Sequence, residues 1–127
     1  MTAALLAKAH RALESAALLL AAGDTDGAVN RAYYAMFDAA TAALLACRPD
    51  GEALPKSHAG LISRFGHQLV RSGRIPAELG RSPNRLHELQ LVADYLGEPV
   101  SMDKATGAVE EAQTFVAAMA DVADAEP

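Results

Sequence analysis

Residues 26–47 read DGAVNRAYYAMFDAATAALLAC, and the fold turns on how this stretch divides around a helix. At 3.6 residues per turn it resolves into three faces. Val29, Tyr33, Phe37, Ala40 and Leu44 share one, the face expected against a core. Ala28, Ala32, Ala35, Ala39 and Ala43 form a second, nearly bare stripe that lets another helix approach closely. Arg31, Tyr34, Asp38, Thr41 and Leu45 form the third, and Arg31 and Asp38 are the only charges between Gly27 and Cys47. Solvated helix faces are normally dense in charge. A face carrying a lone arginine, a tyrosine and a carboxylate predicts either a polar seam between helices or the wall of a site.

The flanks repeat the helical pattern. The chain has 127 residues, 51% hydrophobic and 5% aromatic, and is rich in alanine, the best helix former. A first helix is expected over about 2–22, with Leu5, Leu6, Ala9, Ala12, Leu13, Ala16 and Leu20 inward, ended by Gly23. Asp24 or Thr25 caps the second, which stops at the turn cluster Arg48-Pro49-Asp50-Gly51. A third, about 58–72, is entered over Pro55 to Ser57, carries Leu61, Ile62, Phe65, Leu69 and Val70, and is closed by Gly73. One helical turn is expected within 75–80. A fourth helix follows over about 83–96, with Ser82 and Pro83 as N-cap and first residue and with Gly97 and Pro99 beyond its end. Ser101 caps a fifth, about 102–123, with Val109, Ala112, Val116 or Phe115, Met119 and Val122 inward. Short connections between amphipathic helices predict one all-α domain over 1–127, an antiparallel up-and-down bundle of four or five helices.

Charge and cysteine usage narrow the function. A net charge of −5 argues against a protein that coats polyphosphate, without excluding a local basic patch. Cys47 is the only cysteine, so no intrachain disulfide or cysteine zinc site is expected. The start of the chain carries Lys8, His10, Arg11 and Glu14, which reads as an amphipathic helix rather than a leader or a membrane span. A cytoplasmic protein is the expectation, with no metal and no cofactor.

Several side chains are candidates for chemistry. Arg31 and Asp38, two turns apart with Tyr34 between, read either as a self-satisfied pair or as a site wall of planar donor, ring and carboxylate. Asp94, amid Leu91, Val92 and Leu96, is expected to answer a cation from another helix, with Arg31 the natural one. His58 opens the third helix beside Lys56, where an anion can be held; its bland alternative is a bond to a loop carbonyl. His10 reads as surface, and His67 as packing or capping. Arg64, Arg71, Arg74, Arg81 and Arg85 supply the only basic region, for phosphate or for an acidic partner. Glu110, Glu111, Asp121 and Asp124 make the outer face of the last helix acidic.

The string Asn30-Arg31-Ala32-Tyr33-Tyr34-Ala35-Met36-Phe37-Asp38-Ala39-Ala40 resembles the signature of prokaryotic HEPN-domain proteins. The similarity continues through Lys56-Ser57-His58-Ala59-Gly60-Leu61-Ile62, Phe65, Ala93-Asp94-Tyr95 and the stretch Ala112 to Phe115. It implies a helical bundle, commonly a homodimer. Many members are paired with a minimal nucleotidyltransferase as toxin and antitoxin, and catalytic members are metal-independent endoribonucleases. Those use an Arg, four to six residues, then a His. Here the corresponding place reads Gln90-Leu91-Val92-Ala93-Asp94-Tyr95, where relatives usually keep an Arg at the first position, and position 38, often His, is Asp. One formal match survives in Arg81 to His87, though Pro83 would redirect its arginine.

The resulting expectation is a HEPN-type component of a toxin–antitoxin system with a degenerate ribonuclease motif. It would bind nucleotide, RNA or a nucleotidyltransferase partner through Asn30, Arg31, Tyr34, Asp38, Lys56, His58, Asp94 and Tyr95, and dimerise through faces rich in small residues. The alternatives are an active endoribonuclease, using Arg81 and His87 or a dimer cleft built from Arg31 and His58, and a purely structural dimer.

Overall fold

A computed structural model describes residues 1–47 and 54–125. It contains α1 (Thr2–Ala21), α2 (Thr25–Cys47), α3 (His58–Phe65) running on into a π-helical turn at Gly66–Val70, the single turn α4 (Ala77–Gly80), α5 (Ser82–Leu96) and α6 (Met102–Ala125). No strand occurs among the described residues. The turn cluster expected at 48–51 lies outside them. The accessible surface is 6860 Å², close to the roughly 6,400 Å² that a monomer of this mass presents.

The centre is α2. It packs against α1 and α6, which also meet each other, while α3 and α5 lie against its remaining side. All five alanines of its bare stripe are completely buried, as are Ala9, Ala12 and Ala16 on α1. With no side chain beyond Cβ on these faces, the helix axes can come close, and the larger groups fill the gaps around them. Val29, Met36 and Leu44 of α2 and Val116 and Met119 of α6 do this, all fully buried. Phe65 and Phe115, with centroids 5.6 Å apart, tie α3 to α6.

The three glycines expected to stop helices, Gly23, Gly73 and Gly97, are the ones with left-handed backbone (φ 86°, 84° and 69°). Asp24 accepts a hydrogen bond from Gly27 N–H at 2.9 Å, Ser57 from Gly60 N–H at 3.0 Å and Ser101 from Lys104 N–H at 3.3 Å. Ser82 does not cap α5 as the sequence suggests. It is buried and accepts from Arg85 Nη2, because Arg81 ahead of it is already helical and carries α4 into α5.

The third helix departs most from expectation. Leu61, Phe65 and Leu69 are all buried and spaced by four, a spacing that drifts about 40° per step on an α-helix. The wider turn from Gly66, closed by Arg71 N–H to Gly66 O at 3.0 Å, takes up that drift. No described helix is long and apolar enough to cross a membrane.

Ala39→Leu should destabilise the fold by about 1–3 kcal/mol through overpacking, read from denaturant unfolding. Ala17→Leu, at an exposed position of α1, should stay within about 0.5 kcal/mol.

Candidate functional site

Tyr33 lies on the core face of α2, and a buried phenol needs a partner for its hydroxyl. It finds His58, which the Ser57 cap fixes as the first residue of α3: Tyr33 Oη is hydrogen-bonded to His58 Nδ1. The other ring nitrogen, Nε2, lies 3.2 Å from Asn84 Oδ1 on α5. One turn beyond Asn84, His87 lays its ring against His58 with centroids 3.8 Å apart and stacks on Tyr33 at 5.4 Å. Three helices thus converge on one cluster of two histidines, a tyrosine and an asparagine.

Protonation follows from the surroundings. Burial, aided by Tyr34, pushes the Tyr33 phenol up to about 12, so at neutral pH it keeps its proton and donates to His58 Nδ1. The imidazole proton of His58 is then on Nε2, where it donates to Asn84 Oδ1, and both nitrogens are committed. His87 makes no hydrogen bond among the described residues. Burial first, and then His58, hold it below the ordinary histidine value, against the pull of Glu88.

The cluster opens on a cleft of about 390 Å³ whose other walls are Tyr34, Phe37, Lys56, Gln90, Leu91 and Asp94. It is one of three adjoining clefts lined in part by α2. Asp38 and Thr41 line a second, of about 400 Å³, with Leu5 and Leu54; it shares Phe37 and Lys56 with the first. Asn30 lines a third, of about 370 Å³, with Asp26 and Val100; it shares Gln90 and Asp94.

The three polar groups of the third face do not meet in one place: Tyr34 lines one cleft, Asp38 another, and Arg31 neither. Arg31 stands over the Tyr34 ring at 5.9 Å and makes no ion pair with Asp38 or Asp94 among the described residues. Asp38 faces α1, where burial raises its pKa and Lys8 and then Arg31 oppose the rise. Asp94 and Tyr95 are exposed, so the inferred Arg31–Asp94 network is absent. Arg81 does not approach His87. It is exposed and paired with Glu78 at 3.1 Å, since six residues on a helix separate the two side chains by most of a turn. Its neighbour Arg85 is held by Glu111 at 2.8 Å and by Glu78, which also turns Glu111 from the outer face toward α5. The basic stretch is thus largely occupied within the chain. His67 neither packs nor caps; it is exposed, with Arg71 Nη1 at 3.5 Å. His58 bonds side chains rather than a loop carbonyl.

Two site residues were missed from sequence. Tyr33 reads only as core, although a tyrosine there carries a hydroxyl that must be satisfied, and Asn84 carries no motif. The signal was their fit: Asn84 and His87, three apart, share one face of α5. No group of three or more His, Cys, Asp or Glu is placed to hold a metal among the described residues.

The depressed His87 makes stability depend on pH. The unfolded chain takes its proton near 6.5 and the folded chain only at lower pH, so stability falls as pH drops below about 6.5 and is unaffected above it. The Tm difference between about pH 7.5 and about pH 5.5 should shrink in His87→Gln.

Comparison with known proteins identifies relatives of this chain. A family model described as the HEPN domain matches residues 2–122. A UPF0332 protein of Gloeobacter violaceus is 39% identical over 93 residues, 73% of this chain and 71% of that protein. A UPF0332 protein of Thermotoga maritima is 37% identical over 97 residues, 76% of this chain and 70% of its own length. A protein of Methanocaldococcus jannaschii named "Putative toxin" is 38% identical over 89 residues, 70% of this chain and 63% of its own length.

Proposed function

The chain belongs to the HEPN-domain family, and on that premise we propose that it is the HEPN component of a toxin–antitoxin type system whose Tyr33–His58–His87 cleft binds single-stranded RNA. The observation that carries this reading is the convergence of Lys56, two histidines and two tyrosines on one cleft. Lysine and arginine hold phosphate, and aromatic faces stack bases. Lys56 is exposed at the rim, and Arg31 over Tyr34 adds a second cation beside a ring. The relative named "Putative toxin" favours the toxin role over a purely structural one.

The partner surface follows from what the fold has left uncovered. The small-residue stripe of α2 is spent inside the bundle, so it is not available for dimerisation. The second half of α5 instead exposes Leu91, Val92, Tyr95 and Leu96, with Tyr95 90% exposed. A second copy covering this face would also wall the cleft, since Leu91 belongs to both. A nucleotidyltransferase antitoxin competing for the same face would close the cleft to RNA.

A second reading, a metal-independent endoribonuclease, has one observation in its favour. His87 is held neutral with no hydrogen bond among the described residues, as a general base for a 2′-hydroxyl must be. The missing arginine at Gln90 weighs against it.

Single-stranded RNA mixed with the protein in EDTA should be bound and stay intact. Lys56→Ala should weaken binding for all sequences and lower the salt slope by about one, while Arg81→Ala leaves it unchanged. Cleavage that disappears in His87→Ala would establish the second reading. Light scattering should show a dimer that Tyr95→Glu converts to monomer without lowering Tm.

A further inference from the structure

Two imidazole rings in contact, their planes inclined at 32°, are an unusual lining for a cleft that is to hold an anion. With centroids 3.8 Å apart, two positive charges would repel strongly, so the pair resists carrying both at once. His58 is the member already committed. Tyr33 donates to its Nδ1 and Asn84 accepts from its Nε2. To become charged it would need a second proton on Nδ1, and the Tyr33 hydroxyl would have to turn its hydrogen away. His87 has no such bond to break among the described residues, so a proton added there disturbs no hydrogen bond of the cluster.

We propose that phosphate binding in this cleft is conditional on a proton: a phosphate group of an RNA strand is held tightly once His87, whose ring lies against that of His58, is protonated. The proposal rests on the RNA-binding reading of the same cleft and adds its regulation. The charges facing His87 account for the condition. From α2 come the rings of Tyr33 and Tyr34, with Arg31 over the Tyr34 ring. From the segment before α3 comes Lys56, and from α5 the carboxylates Asp94 and, adjoining His87 in the chain, Glu88. Lys56 and Asp94 leave the lining of the empty cleft close to neutral, a poor anion site. One proton on His87 makes it net positive and supplies a charge-assisted donor aimed at the phosphate. The burial that opposes that proton is what a bound anion offsets. By linkage, protonation strengthens phosphate binding by the same factor by which phosphate favours protonation.

The test is anisotropy with a labelled 2′-O-methyl single-stranded RNA, which cannot attack its own backbone, at about pH 7.5 and about pH 5.5 and constant ionic strength. The wild-type chain should bind about tenfold or more tightly at the lower pH, the range one charge-assisted hydrogen bond supplies. His87→Gln should bind equally at both. Lys56→Ala should be weaker at both and keep the ratio. A second measurement needs no variant: NMR titration of the histidine Cε1–H signals, with and without inorganic phosphate. The His87 midpoint should rise when phosphate is present. Pre-folded controls by circular dichroism accompany each variant.

The outcomes separate the two claims. RNA bound equally at both pH values, or with a pH dependence that His87→Gln retains, overturns the proton condition and leaves the RNA cleft standing. A His87 midpoint that responds to phosphate, with no RNA bound at either pH, upholds the proton-linked phosphate site and refutes the strand. A midpoint unmoved by phosphate, with no RNA bound, overturns both.

Discussion

The close approach permitted by the alanine stripe of α2 is the constraint on which the rest of this molecule depends. Ala28, Ala32, Ala35, Ala39 and Ala43 are completely buried, so neighbouring helices press on α2 at near-backbone distance and hold it in the middle of the bundle. A helix so enclosed has little surface left for water. What remains includes its third face, from which Tyr34 lines one cleft and Asp38 and Thr41 line an adjoining one. The site lies where it does because the packing left α2 only that side.

Tyr33 connects this packing to the chemistry. Its ring belongs to the core and its hydroxyl to the cleft, and the bond to His58 fixes the position of α3 and the tautomer of the imidazole together. Asn84 takes the other nitrogen and brings in α5, and with it His87. The result is a committed histidine beside an uncommitted one. Lys56, Asp94 and Glu88 surround them with charges of both signs, so the state of the cleft is set by small changes in proton and ligand rather than by a fixed excess of charge. The overall charge of −5 gives no hint of this, because it averages an acidic surface over a local balance.

Much of the architecture was legible because it rests on short-range chemistry. Gly23, Gly73 and Gly97 stop helices by backbone conformation, and Asp24, Ser57 and Ser101 start them by side-chain bonds to nearby amides. The inward stripes of α2 and α6 followed from periodicity. The π-helical turn after Phe65 was not legible, since it answers to where Leu69 must sit against other helices. The site was legible in part. Lys56, His58 and His87 were singled out, but Arg81 was joined to His87 by counting along the chain, and Arg31 to Asp94 by matching charge. Sequence spacing does not register that Glu78 stands beside Arg81, nor that Tyr33 reaches across to His58. Those pairings are decided by how helices far apart in the chain come together.

The burial along α5 is uneven. Ser82, Pro83 and Leu86 anchor its first half in the bundle, whereas Leu91, Val92, Tyr95 and Leu96 of the second half are exposed. Helical stability in proteins comes mostly from tertiary packing of an apolar face, and here that support ends midway. The last turns of α5 therefore belong to the low end of the local stability scale, where segments open without global unfolding. A partner docked there would supply the missing half of a core, so that completing this helix and assembling a complex would become a single event.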